Sequence, residues 1–402
     1  MPETAHTWSV SEGGLCGSTT FDSRGRLVTL CPSLTTTGLF LVDPSTGDTL
    51  ATYALPPRHT ANPFSDFSGG GYFYIDPQDR VVVASPDRHV RTIQVSEAGF
   101  SLQDEVDLSG HLDAADGILS VLPDWQGQNW FASAHGVVGL VPAGGAEPRT
   151  VALGEEIANS FAVDVDGAVF VVTTAALYRL ELDGDGAPTV VWREPYANTG
   201  VQKPGQVSAG SGTTPTVLPD GLVAITDNAD PMQVVVYRTE ASGEGPRQVC
   251  AVPVFGAGAG STDNSLIGAG RMLIVENNYG YTSPPFGDVG PVTTPGFARV
   301  DVRPALDGCD LVWTNSVIAA PTVVPKLSLA DGLVYAYTSR AGEVGDHRWY
   351  WTALDAATGA LVWRVPSGDG ALMNNHYAGL ALAPNGGLWV GVLGGLAALT
   401  AR

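Results

Sequence analysis

Carboxylates, side-chain amides and imidazoles gather in a few short stretches of this chain, several of them beside tyrosine. The stretches are Thr226-Asp227-Asn228-Ala229-Asp230, Ser133-Ala134-His135-Gly136, Glu276-Asn277-Asn278-Tyr279-Gly280-Tyr281 and Asn374-Asn375-His376-Tyr377, with Arg58-His59 and Lys326 as smaller members. Glu276 and His376 have the chemistry to move protons, Lys326 would supply a cation and Tyr279 a phenol, so these four form the expected catalytic set. His59, His135, Asn228, Asn278, Asn374, Asn375 and Tyr377 are the expected substrate-binding groups. Glu276, Asn277, Asp227 and Asp230 are hard oxygen donors, which suits Ca²⁺ better than zinc, whose usual thiolate and imidazole spacing is missing. Such an ion would either tie elements together or polarise a substrate carbonyl. Each group also has a plainer reading. Asn-rich turns commonly satisfy their own backbone, and Lys326, which interrupts the apolar run from Pro321 to Leu329, could equally be a salt-bridge partner. His6, His89 and His347 read as surface or loop positions.

Distant stretches can act together only if the fold gathers them, and the turns show how it would. Asp22-Ser23-Arg24-Gly25, Asp76-Pro77-Gln78-Asp79, Asp124-Trp125-Gln126-Gly127, Asp164-Val165-Asp166-Gly167, Pro219-Asp220-Gly221, Gly268-Ala269-Gly270, Ala330-Asp331-Gly332 and Asn385-Gly386 recur along the chain. Their spacing of roughly fifty residues marks a stacked repeat. Each turn lies between short runs rich in Val, Leu and Ile, such as Arg26 to Leu30 and Leu222 to Ile225, as a hairpin requires. A third strand follows, for example Leu39 to Asp43. A fourth often carries tryptophan, as at Trp192, Trp313 and Trp363, where a flat ring can fill the wedge between neighbouring sheets. Four strands per repeat make the fold class all-β, a β-propeller of eight four-stranded blades, with seven as the alternative count. The last blade has three strands, and the spare strand at Thr7 to Val10 is expected to complete it, which would hide two sheet edges. The chain reads as one domain over residues 1–402.

In a propeller, the segments leading into innermost strands and the links between second and third strands lie on one face. The polar stretches above fall in those two classes of segment. Asp355-Ala356-Ala357-Thr358-Gly359-Ala360-Leu361-Val362-Trp363 then resembles the repeat of the quinoprotein-like, or PQQ-like, β-propellers, and Asp43-Pro44-Ser45-Thr46-Gly47 is a partial second copy. The resemblance implies that Asp and Thr-Gly build the turn between the third and outer strands. It also implies a family that includes both PQQ-dependent dehydrogenases and assembly scaffolds without cofactor. This chain lacks the adjacent cysteine pair that many of the dehydrogenases carry, so PQQ is disfavoured.

Acidic residues outnumber basic ones by 41 to 20, a formal charge of −21, which argues against nucleic acid and anionic membranes as partners. No apolar stretch is long enough to span a bilayer, and the first residues show no signal-peptide pattern. Cys16 and Cys31 flank the first turn and are expected to pair. Cys250 and Cys309 sit in equivalent outer strands of neighbouring blades, where the rim is expected to hold them too far apart. Disulfides would place the chain outside the cytoplasm, in a secreted or periplasmic setting, and the composition suits a bacterium. A monomer is expected. No Gly-x-Ser-x-Gly elbow or phosphate loop occurs, which disfavours serine-triad and nucleotide chemistry. The leading expectation is an enzyme of the hydrolase or lyase kind acting on a small organic molecule by metal-assisted or acid–base chemistry. A non-catalytic binding or scaffold propeller is the alternative, and a PQQ-dependent dehydrogenase the second alternative.

Overall fold

The computed structural model describes residues 5–10, 14–32, 36–58, 60, 66–141, 146–240, 246–282, 293–340 and 348–401, with residues 5–10 and 401 described by backbone alone. The strands form eight four-stranded antiparallel sheets, the blades of a β-propeller, and helix among the described residues is confined to one 3₁₀ turn at Ala371–Met373. Blades 1 to 7 span residues 19–55, 73–107, 118–152, 162–195, 216–253, 267–315 and 326–369, each with its strands hydrogen-bonded in chain order. Blade 8 takes Leu380–Leu382, Leu388–Val392 and Gly395–Ala401 from the C-terminus and Ala5–Val10 from the N-terminus. Trp8 lies opposite Ala398 in that last pairing, so the spare N-terminal strand completes the blade as the sequence predicts.

The repeating turns work as their composition suggests. In blade 1, one oxygen of Asp22 accepts the Arg24 and Arg26 amides at 3.0 and 2.8 Å while the other holds the Arg26 guanidinium. Gly25 closes the turn at φ 75°, a left-handed conformation that a side chain resists. Blade 2 repeats the device with Asp76 and Arg80. The third-to-outer turns also behave as the resemblance implies, since Asp355 accepts both the amide and the hydroxyl of Thr358 and Gly359 sits at φ 70°.

The chain divides into two compact units. The first comprises Thr174–Leu177 and Glu194–Leu380, and the second Thr4–Thr173, Tyr178–Arg193 and Ala381–Arg402. The core of the first unit packs Leu222, Val234, Val236, Leu273, Val275, Ala298 and Val300 from facing sheets of blades 5 and 6. In the second unit Val28, Leu39 and Leu41 of blade 1 meet Val81, Val83 and Ile93 of blade 2. The alternating β-branched residues of each strand therefore bury both sheet faces, as stacked blades require.

Both cysteine pairs are disulfides. Cys16 and Cys31 have Cα atoms 4.0 Å apart beside the first hairpin. Cys250 and Cys309, expected to be too far apart, have Cα atoms at 5.8 Å, because the outer strands of blades 5 and 6 come side by side there. Among the described residues no helix is long and apolar enough to cross a membrane.

Candidate functional site

The second strand of blade 6, Met272–Glu276, is an apolar run that ends in a carboxylate, and the chain then turns through Asn277 and Asn278. The segment leading into the same blade, Thr262-Asp263-Asn264, passes alongside. The two triplets knit together through their side chains. Glu276 Oε1 accepts Asn264 Nδ2 at 2.6 Å and the Thr262 hydroxyl at 3.2 Å, and its Oε2 accepts Asn278 Nδ2 at 2.7 Å. Asn278 Oδ1 in turn accepts the Asp263 backbone amide at 2.8 Å, so one amide side chain connects the two acidic residues. The second hydrogens of Asn264 and Asn278 reach the carbonyls of Val323 and Pro321 and fasten the cluster to blade 7.

Glu276 and Asp263 are 1% and 8% exposed. Burial, and for Glu276 the nearby Asp263 charge, pushes both carboxyls up to about 8 against the pull of their hydrogen bonds. Asp263 Oδ2 accepts the Val207 amide at 2.5 Å, whereas its Oδ1 is buried with no hydrogen-bond partner. Glycine is required at two places around this cluster. A Cβ at Gly212 would stand 2.3 Å from Asp263 Oδ1 and 2.0 Å from the Thr262 carbonyl, and one at Gly205 would stand 2.1 Å from the Asn278 carbonyl.

Blade 8 contributes the segment after the 3₁₀ turn. Tyr281, from the long link of blade 6, places its hydroxyl 2.8 Å from His376 Nδ1 and receives Asn374 Nδ2 at 3.1 Å. One proton is shared between the phenol and Nδ1, and which of the two donates follows the imidazole tautomer. Asn374 also accepts the His376 amide at 3.0 Å. The rings of Tyr281, His376 and Tyr377 form a cluster with centroids 5.1 to 6.0 Å apart. Burial raises the Tyr377 hydroxyl well above the usual phenol range, reinforced by the charges of Asp263, Tyr281 and Glu276, and that hydroxyl donates to the Gly205 carbonyl at 3.4 Å. His376 and Tyr377 both adopt left-handed backbone, at φ 38° and 64°. Two adjacent non-glycine residues in that region store strain, a feature that concentrates at functional sites.

Of the residues nominated from sequence, Glu276, Asn278, Asn374, His376 and Tyr377 are thus brought together. Asn375 lies close by but is structural, accepting from the Thr322 hydroxyl at 3.3 Å and donating to the Ala378 carbonyl at 3.1 Å. Tyr279 is half-buried, with its backbone amide on Asn277 Oδ1. Lys326 stands on the innermost strand of blade 7 with an exposed side chain and no hydrogen-bond or ion-pair partner among the described residues. The protein mass around it, rather than direct cover, lowers its ammonium pKa. His135 has an exposed ring in the other compact unit, and His59 lies outside the described residues.

The four proposed calcium donors do not assemble. Asn277 turns away from Glu276 to accept the Ser261 and Tyr279 amides and donate to the Ala259 carbonyl. Asp227 is spent on the Ala229 and Gln233 amides and the Gln233 side chain, and Asp230 accepts the Gly258 amide. Burial raises Asp227 to about 6, and Lys203, whose ammonium donates to the Ala229 and Gly260 carbonyls, offsets part of that rise. Asn228 braces the segment from Asn198 to Ala209 through three contacts of its amide nitrogen. Among the described residues no three of His, Cys, Asp and Glu are placed to hold a metal ion. Asp227 thus satisfies its own turn, whereas Asp230, Asn277 and Asn228 tie their turns to more distant segments.

Sequence reasoning missed Asp263, Thr262 and Asn264. Their signal was available, because they occupy the same class of segment, leading into an innermost strand, that drew attention to Asn374 and His376.

No protein-family profile matches the chain. An uncharacterised protein of Archaeoglobus fulgidus is 27% identical over 318 residues, which cover 70% of this chain and 60% of that relative. Among solved structures, BamB from Moraxella catarrhalis aligns over 98% of this chain and 99% of its own at TM-score 0.59 and 13% identity. Sqt1 from Chaetomium thermophilum aligns over 96% and 95% at TM-score 0.59 and 10% identity. The dihydro-heme d1 dehydrogenase NirN aligns over 89% of this chain and 67% of its own at TM-score 0.55 and 12% identity. At these identities the likeness concerns the fold, which a dehydrogenase shares with proteins whose names carry no activity.

Proposed function

We propose that the Glu276 cluster is an acid–base site that acts on a small organic molecule by chemistry of the hydrolase or lyase kind. The observation that supports this most is the carboxyl pair: Asp263 and Glu276 are buried, linked through Asn278, and pushed up to about 8, with no cation among the described residues bonded to either. Two such groups in one low-dielectric space hold a proton at neutral pH that a substrate can borrow. Asp263 Oδ1 is the atom suited to exchange it, being the unpartnered oxygen of the less buried member. His376, oriented by its hydrogen bond to Tyr281, would donate to an oxygen that gains negative charge. Tyr377, in ring contact with His376 and Tyr281, would orient the molecule. The donor set does not fit calcium, and no step is assigned to a metal.

The test is turnover of nitrophenyl esters, lactones and substrates prone to β-elimination by the wild-type protein and by Asp263→Asn, Glu276→Gln and His376→Phe. Turnover of at least one class, with losses of about a hundredfold or more in Asp263→Asn and a pH profile governed by a group near 8, is the expected result. No turnover, or undiminished turnover in Asp263→Asn, would overturn it.

The resemblance to PQQ-like propellers concerns the repeat, and the four cysteines are bonded as Cys16–Cys31 and Cys250–Cys309, neither of them an adjacent pair. Those disulfides support an extracytoplasmic setting. The alternative of a non-catalytic binding propeller draws on a separate feature, an open groove in the second compact unit.

A further inference from the structure

Trp125 is 72% exposed. It occupies the second position of the turn joining the first two strands of blade 3, and that turn is built without it. Asp124 Oδ1 accepts the Gln126 and Gln128 amides at 2.9 and 2.8 Å, Asp124 Oδ2 accepts the Trp130 indole at 3.2 Å, and Gly127 takes φ 81°. The same position is Ser23 in blade 1, Pro77 in blade 2 and Val165, 73% exposed, in blade 4. The fold therefore asks nothing of this side chain, and an exposed indole on a rigid turn calls for another explanation.

Trp125 lines a groove of about 920 Å³ between blades 2 and 3, within the second compact unit. Its floor is apolar, made by Val82, Val90, Leu140 and Val141, and its walls carry Gln78, Gln103, Asp104, Gln128, Asn129 and Glu147. That size lies at the upper end of small-molecule sites, which fits several linked rings better than one.

Two observations narrow the occupant. First, the charges at the groove are largely spent within the protein. Arg80 holds Asp76 at 2.6 Å, Asp124 serves its own turn and Arg149 donates to the Asp185 carbonyl. What remains is a wall of four amides, Gln78, Gln103, Gln128 and Asn129, with two exposed carboxylates, Asp104 and Glu147, which disfavours an anionic ligand. Second, Val82, Val90 and Leu140 sit in strands hydrogen-bonded on both sides. The floor thus offers no free backbone for an added peptide strand, and recognition must run through side chains.

We infer that this groove binds a neutral oligosaccharide, with Trp125 stacked on the apolar face of a sugar ring and the glutamines, Asn129 and Asp104 hydrogen-bonded to its hydroxyls. An indole supplies flat apolar area at little entropic cost, and amides both donate and accept, which matches a ligand whose groups are all hydroxyls.

A glycan array of glucan, chitin, mannan, galactan and uronan fragments, probed with the full chain, tests the inference, followed by calorimetry of the tightest binder with the wild type, Trp125→Ala and Trp125→Tyr. Binding of a neutral fragment, weakened about tenfold or more in Trp125→Ala and partly retained in Trp125→Tyr with unchanged melting temperatures, is the expected result. Binding of uronans alone, of no fragment, or of a neutral fragment equally by Trp125→Ala would overturn it. So would saturable binding of a lysine-rich extended peptide that the sugars fail to displace. Activity of the Glu276 cluster plays no part in these outcomes, so the two proposals stand or fall separately.

Discussion

The cluster around Glu276 and the groove beside Trp125 draw on the same side chains, amides, carboxylates and aromatic rings, and use them in opposite ways. In the cluster these groups turn inward and bond to one another, Asn278 to Glu276 and Asp263, Asn374 to Tyr281 and His376. In the groove they line an open surface, and Trp125 rests on a turn that would form without it. The contrast teaches that stability and recognition are coupled in the first region and separable in the second. A buried polar group that loses its partner costs the full desolvation of what remains, whereas an exposed one returns to water.

Variants can break that comparison. Glu276→Ala should have the largest effect, because it strands the amides of Asn264 and Asn278 in a buried site; a loss of about 3 kcal/mol is expected by chemical denaturation. A loss below about 1 kcal/mol would mean that the network does not hold the blades together. Gly212→Ala should cost about 1 to 3 kcal/mol, since a methyl group there collides with Asp263 Oδ1 and the Thr262 carbonyl, neither of which can retreat freely. Crystals of that variant showing an unmoved Asp263 would contradict the close approach.

The pH dependence sharpens the same point. Folding raises the Glu276 and Asp263 pKa values from 4.5 and 3.8 to about 8, so between those limits the folded state binds more protons than the unfolded one. The stability these groups contribute is fully present below the unfolded values and is lost as pH rises through about 8. Melting temperature should accordingly decline over that window, and Glu276→Gln should flatten the decline; a melting temperature that these carboxyls leave unchanged with pH would show that both are already ionised. The smallest effect belongs to the groove. Trp125→Ala should leave stability within about 0.5 kcal/mol of wild type, measured by the same denaturation, and a greater loss would mean that the indole packs after all.

Much of this architecture could be read from the chain, because turns with Asp at the first position and glycine at the last have one physical use and recur regularly. The final blade was legible for the same reason, as three strands at one end and a spare at the other leave a single economical pairing. The cysteines show where such reading stops. Whether Cys250 and Cys309 meet depends on how closely two outer strands approach, a property of blade packing that no local pattern encodes. The site divides similarly. Glu276, Asn278, His376 and Tyr377 stood out by composition, but Asp227, Asp230 and Asn277 look identical in sequence and are bonded to backbone amides of their own or neighbouring loops. Asp263 escaped notice because Thr-Asp-Asn reads as an ordinary loop until Gly212 and Val207 are seen to enclose it.

The Cys250–Cys309 bond has a practical corollary. Each sulfur belongs to the outermost strand of its own sheet and is only partly covered, so a chain made in a reducing host would carry two thiols side by side near the periphery. Such thiols can be oxidised by one another or by another molecule, and concentration decides the ratio. Oxidative refolding in dilute solution, or export during synthesis, should therefore give single chains, whereas late oxidation of a concentrated stock should give covalent dimers that dissolve on adding a reductant.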